Sequence, residues 1–248
     1  TPQMYQRDSV AYESLMLSTF SLWYNQFDKS VKIPKINQIF VGFSRDGFHW
    51  DRANRDPFIP IEREMGVGNP EFGYLRPAGG GCVIVGEELY FYYEGTSGKT
   101  LDGKPSRNET MTINLAKLRR DGFASMEASD EVGVLETRPV TFSGKHLFVN
   151  VEASQGELKV GVIDLKGDPI EPFTLANCVP VQLDETKSEV RWAGGKDLGD
   201  LKDKPVRFRF HLTNGALYAF WVSTDESGAS NGYVASGGPG FDGPRDAP

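Results

Sequence analysis

Residues 36–52 read INQIFVGFSRDGFHWDR, and residues 110–126 read TMTINLAKLRRDGFASM. Each is an apolar, strand-like run that passes into Arg-Asp-Gly-Phe. Upstream of each lies an aromatic-rich run, LMLSTFSLWYNQ over 15–26 and GCVIVGEELYFYYEGTSG over 81–98. Both upstream runs carry an aromatic pair, Trp23-Tyr24 in one and Tyr92-Tyr93 in the other. Asp46 and Asp121 are 75 positions apart, and Trp23 and Tyr92 are 69 apart. A period of about 70 residues built from short strands predicts propeller-blade-like β-units of roughly four strands each. Asp-Gly then supplies the tight turn between the last two strands of a unit, with Gly at positive φ. The competing reading is two unrelated hairpins that share a turn dipeptide.

Outward from these units the same texture continues. Glycine (28) and proline (15) punctuate short runs of Val, Ile, Phe, Tyr and Trp, which is a many-stranded pattern and a poor helical one. Residues 14–24 suit a helix by composition, but the companion run at 81–98 argues for a strand. After Phe123, short strands are expected at 134–142, 146–151, 157–164, 178–183, 189–193, 206–212 and 216–223. About seven strands over roughly 100 residues fit an antiparallel sandwich. Asn214-Gly215, between RFRFHLT and ALYAFWVS, is a hairpin signal. The expected organisation is all-β: a partial β-propeller of two blade-like units over 1–122, a β-sandwich over 123–224, and a Gly/Pro-rich tail over 225–248.

Composition narrows the partners. Lys plus Arg (27) against Asp plus Glu (34) gives a formal charge of −7, with no basic block, which argues against nucleic acid. Apolar content of 39% with 12% aromatic allows a sizeable core. No run approaches the ~18 apolar residues of a membrane helix. The start, Thr1-Pro2-Gln3-Met4-Tyr5, shows no signal peptide and no initiating Met, so a processed or truncated chain is expected. Cys82 and Cys178 are expected as buried thiols, which leaves the compartment open. His49, His146 and His211 have no metal-ligand spacing.

The chain resembles the C-terminal half of bacterial proteins similar to family 32 glycoside hydrolases, the invertase and levanase relatives. The resemblance rests on AYESLMLSTFSLWY, VGFSRDGFHW, GEELYFYYEG, INLAKLRRDGFASM, TRPVTFSGKHLFVN, PVRFRFHLTNGALYAFWVS and GYVASGGPGFDGP, and it covers most of the chain. It implies a five-bladed propeller joined to a β-sandwich, retaining hydrolysis of an oligo- or polysaccharide, no cofactor, and secretion or a periplasmic location. The chain departs from that pattern in two ways. Two blade-like units cannot close a ring, so a missing N-terminal half or further copies of the chain would be needed to complete it. The family's nucleophile motif is absent, and Arg55-Asp56-Pro57 reads as a loop rather than the matching site.

Retaining glycosidases need two carboxyl groups about 5 Å apart. By the resemblance, working residues begin each innermost strand, here at Tyr12-Glu13, and Glu13 is the acid/base candidate. Its bland alternative is an edge-strand glutamate in solvent. Glu71, Tyr74 and Arg76 supply planar hydrogen-bonding groups and an aromatic platform for a sugar, against the alternative of an ordinary polar loop. Gly79-Gly80-Gly81 precedes a strand, so it reads as a close backbone approach and not as a phosphate cradle. Glu94 reads as an exposed cap and Trp192 as the tryptophan to test as a sugar platform. Asn108-Glu109-Thr110 matches a glycosylation sequon by chance. The rival to the hydrolase is a non-catalytic carbohydrate-binding or supporting module. A third reading is an interaction scaffold without a sugar ligand.

Overall fold

The computed structural model describes residues 2–24, 36–62, 69–104 and 110–248. The sequon at 108–110 and the polar run at 25–35 fall wholly or partly outside them. The chain is all-β, with several antiparallel sheets and, among the described residues, no closed barrel. It divides into two compact units, Thr1–Lys117 with Gly232–Arg245, and Leu118–Asn231 with Asp246–Pro248.

The first unit opens with β1 (Gln3–Glu13), β2 (Leu15–Tyr24), β3 (Ile36–Ser44) and β4 (Trp50–Asp51), an antiparallel meander in that order. Residues 15–24 are therefore a strand. Their ladders to β1 on one side and β3 on the other satisfy the backbone that a helix would have satisfied internally. Pleating sorts the side chains. On one face, the Arg7 guanidinium lies 3.9 Å from the Trp50 ring centroid, and Phe20 stacks on Phe40 at 5.9 Å. The other face carries polar groups that bond a second sheet's backbone. Gln6 Nε2 donates to Pro77 O (2.9 Å), Ser21 Oγ donates to Leu75 O (3.2 Å), and Asp8 accepts from Gly81 N (2.6 Å).

That second sheet contains β5 (Arg76–Pro77), β6 (Val83–Val85), β7 (Glu88–Thr96) and β8 (Met111–Arg119). Both β5 and β6 pair antiparallel with β7, separated by the Gly79–Gly81 run. A Cβ on Gly81 would lie 2.5 Å from Val10 Cγ2, and one on Gly80 would lie 2.6 Å from Ser236 Oγ. Glycine is required there because another strand passes against the backbone.

The two Arg-Asp-Gly-Phe runs fold differently. In the first, Gly47 takes φ +78 and the chain turns back to pair β4 with β3. Ser44 Oγ accepts from Gly47 N (2.9 Å), and Asp46 Oδ1 accepts from Phe48 N and His49 N (both 2.8 Å). In the second, Asp121 takes the positive φ (+56), and Gly122 N donates to Arg119 O (2.9 Å). The strand that follows, β9 (Met126–Ala128), pairs not with β8 but with a strand of the second unit. The expected turn between the last two strands of a unit thus holds at Asp46-Gly47 and fails at Asp121-Gly122.

The second unit adds β10 (Gly133–Glu136), β11 (His146–Glu152), β12 (Glu157–Ile163), β13 (Asp184–Glu189), β14 (Arg207–Thr213) and β15 (Gly215–Ser223). Its sheets run β10-β14-β12 and β13-β11-β15-β9. One core, with Val149, Leu158, Val160, Phe208 and Phe210 at its centre, is shared by both sheets. Two sequence expectations are corrected here. Asn214-Gly215 is not a hairpin turn, because β14 and β15 lie in different sheets. Only Asn214 takes positive φ (+40), where a type I′ turn needs two such residues. Phe220 of β15 instead meets Phe210 of β14 with ring centroids 5.0 Å apart. The strands expected at 178–183 and 189–193 are isolated bridges, Cys178 with Trp192 and Val181 with Leu158. The regular strand is the polar DETKSE between them, where Thr186 and Ser188 face inward.

The Gly/Pro-rich tail is not loose. It forms the last strand, β16 (Tyr233–Val234), which pairs with β1 at Glu13 and Tyr12.

Candidate functional site

Tyr12 is buried, and Glu13 closes β1 at φ +48 in the tight turn to β2. The innermost strand therefore does not begin at Tyr12-Glu13. An eleven-residue strand, β1, ends there, and β2 begins at Leu15. A Cβ on Gly232 would lie 1.9 Å from Glu13 Oε2, so the Glu13 carboxyl lies against the backbone of the returning tail.

The other candidates gather at the opposite end of the unit. Tyr74 donates its hydroxyl to that of Tyr5 (2.9 Å), and the two rings meet edge to face at 5.9 Å. The Arg76 guanidinium carbon lies 5.4 Å from the Tyr74 ring centroid, and Arg76 forms an ion pair with Glu94 across the β5–β7 ladder. Glu71 accepts a hydrogen bond from the Tyr93 hydroxyl. Burial, reinforced by that carboxylate, pushes the Tyr93 phenol well above its usual range, so it stays a donor. Eight residues of strand, at about 3.3 Å each, place Glu13 roughly 25 Å from Tyr5. The structure thus brings Tyr74 and Arg76 together with Tyr5 and Glu94, sets Glu71 on Tyr93, which projects from the other face of β7, and leaves Tyr12 and Glu13 apart from them.

Sequence reasoning missed Tyr5, Tyr93 and Asn37, and took Glu94 for a cap. Tyr93 and Glu94 lie in the aromatic strand that marked the repeat, so position within the repeat was their available signal. Nothing in the sequence marks Asn37. It pairs with Trp23 on β2 and bridges to Tyr74 on its other side. It is fully buried, and neither its carboxamide oxygen nor its nitrogen has a hydrogen-bond partner. Leaving a buried polar group unpaired costs about 1–3 kcal/mol.

Other candidates resolve as structure. Trp192 is buried, donates to Val160 O (2.9 Å) and packs edge to face on Phe173, so it is a core residue and not a sugar platform. Cys82 and Cys178 are buried thiols, and burial raises the Cys178 pKa. His146 pairs with Glu189 (2.7 Å). Among the described residues no group of three His, Cys, Asp or Glu could hold a metal ion. Arg55 lines an open surface hollow of about 420 Å³ with His49, Trp50, Asp51, Arg52 and Ala53. Among the described residues, no helix is long and apolar enough to cross a membrane.

No protein-family model matches the chain, and no curated protein does.

Proposed function

We propose that this chain handles carbohydrate as a glycoside-hydrolase-like binding module, holding an oligo- or polysaccharide at the Tyr5, Glu71, Tyr74, Arg76, Tyr93 and Glu94 cluster. The carrying observation is the contact of two tyrosines with an arginine–glutamate pair at one end of the first unit, with a phenol–carboxylate pair one residue away on β7. Tyrosine faces supply apolar platforms for the C–H faces of a sugar ring, and the charged groups offer planar donors and acceptors to its hydroxyls. Tyr92, 46% exposed and two residues before Glu94 on β7, extends the aromatic surface. Export to where glycans are met fits this reading.

Binding is favoured over hydrolysis by position. Retaining chemistry needs its two carboxyl groups about 5 Å apart, and Glu13 stands roughly 25 Å from the cluster along β1. The test is a glycan array read alongside reducing-sugar release. Tyr74→Ala and Arg76→Ala are expected to lose array binding, while Glu13→Gln keeps it. Sugar release by the parent chain that disappears in Glu13→Gln would replace this reading with hydrolysis through Glu13. An array without any signal would remove carbohydrate altogether.

A further inference from the structure

Among the described residues two asparagines are wholly buried, and they differ in one respect. Asn150 in β11 has both ends of its carboxamide paired. Its oxygen accepts from Arg119 Nε (2.7 Å), and its nitrogen donates to Arg120 O (2.6 Å). Asn37 in β3 has neither end paired. Its backbone is satisfied, since its N–H donates to Gly73 O (2.9 Å) and its carbonyl accepts from Leu75 N (3.1 Å). The unmet capacity therefore belongs to the side chain alone.

The surroundings of Asn37 are specific. Gln6, Asp8 and Ser21 bind the backbone of residues 75–81. Ser21 is paired with Ile39, two residues along β3 on the face that also carries Asn37. Ile39 clusters with Leu75 and Tyr93, whose hydroxyl holds Glu71. Across the sheet the row runs Gln3, Trp23, Asn37, Tyr74. Tyr5 sits on β1 and Tyr74 beyond β3, so the bond between their hydroxyls spans the two strands that carry Trp23 and Asn37.

We propose that Asn37 is the specificity-determining polar group of the carbohydrate site. In this proposal it receives the adjacent hydroxyls of a sugar ring once the Tyr5–Tyr74 hydrogen bond opens. This rests on the carbohydrate reading above and deepens it. A carboxamide offers one acceptor and one donor side by side, which matches a vicinal diol whose hydroxyls each donate and accept. Tyr5 is 41% exposed, so its ring lies on the solvent side of the site. A buried group left unpaired in the unliganded fold is a standing cost, and such costs concentrate at sites of function.

The experiment compares the parent chain with Asn37→Leu and Asn37→Ala by thermal melting and by calorimetry with the tightest-binding glycan from the array. Asn37→Leu keeps the volume and removes the unpaired amide, so it is expected to melt about 2–4 °C higher. Both variants are expected to bind that glycan at least tenfold more weakly. Asn37→Ala decides the binding question if Asn37→Leu does not fold. Binding unchanged in the folded variants overturns the role of Asn37 and leaves the carbohydrate reading intact. A lower melting temperature for Asn37→Leu overturns it as well, because the amide would then be paired in the unliganded protein. An absence of glycan binding by the parent chain overturns the carbohydrate reading itself, and the inference with it.

Discussion

Single residues respond to pH in opposite directions. His49 lies 2.6 Å from Asp46 on an exposed turn, and the carboxylate raises its pKa above 6.5. The contribution of this pair is complete below pH 6.5 and is lost as pH rises through the raised value. His211 is shifted below 6.5, by burial first and then by Arg209. Its neutral form is the folded one, so its contribution is complete above pH 6.5 and is lost as pH falls through the lowered value. Ring-proton titration by NMR should place the His49 midpoint above that of His211, and Asp46→Asn should bring His49 back toward the ordinary value. Tyr93→Phe removes the donor to Glu71 and keeps the ring. Urea unfolding should show a loss of about 1 kcal/mol. Neither histidine environment was legible from spacing. Partnership with Asp46 is local, but the burial of His211 is set by strands far apart in sequence.

Elements were more legible where their pattern is local. The aromatic runs at 15–24 and 88–96 are strands, and an apolar strand follows each before Arg-Asp-Gly-Phe. The glycine run between β5 and β6 is a tighter test. Gly81 has φ +70 and meets Val10, so Gly81→Ala brings strain and a clash together. A loss of about 2–3 kcal/mol in chemical denaturation is expected. Val10→Ala in the same chain should restore part of it by removing the opposing methyl groups. If the double variant recovers nothing, contact with Val10 is not what makes glycine necessary. Asp46-Gly47 follows the local pattern, while Asp121-Gly122 and Asn214-Gly215 show where it fails. The same dipeptides carry different φ values, because the next strand pairs elsewhere and pulls the backbone with it.

At the scale of the whole chain, the C-terminal segment ties itself in by two devices. Residues Tyr233–Val234 pair with the end of β1. Asp246 accepts from Arg120 (2.9 Å), with both side chains less than one fifth exposed. Asp246 also accepts from Ser230, so Asp246→Ala removes a partly dry ion pair and these bonds together and should lower stability by about 1–3 kcal/mol, measured by thermal melting. Deleting residues 232–248 also exposes the edge of β1. Limited proteolysis should then cut within β1 or β2 far faster than in the full chain. An unchanged digestion pattern would mean that β1 holds without the tail.

The sequence by itself determined the class of this chain: all-β, with a repeated aromatic strand, buried thiols and no basic face. These follow from composition and from periodicities of two residues and of about seventy. It also singled out Glu71, Tyr74 and Arg76, which are neighbours along the chain. Only the tertiary structure decided that Glu13 stands away from them, that Tyr5 meets Tyr74 and Glu94 meets Arg76, and that buried Asn37 lies unpaired beside Tyr74. The reason is physical. Which strands pair, and in which register, is set by contacts between segments dozens of residues apart. A polar residue on a β-strand therefore shows its role only when the strands beside it are known.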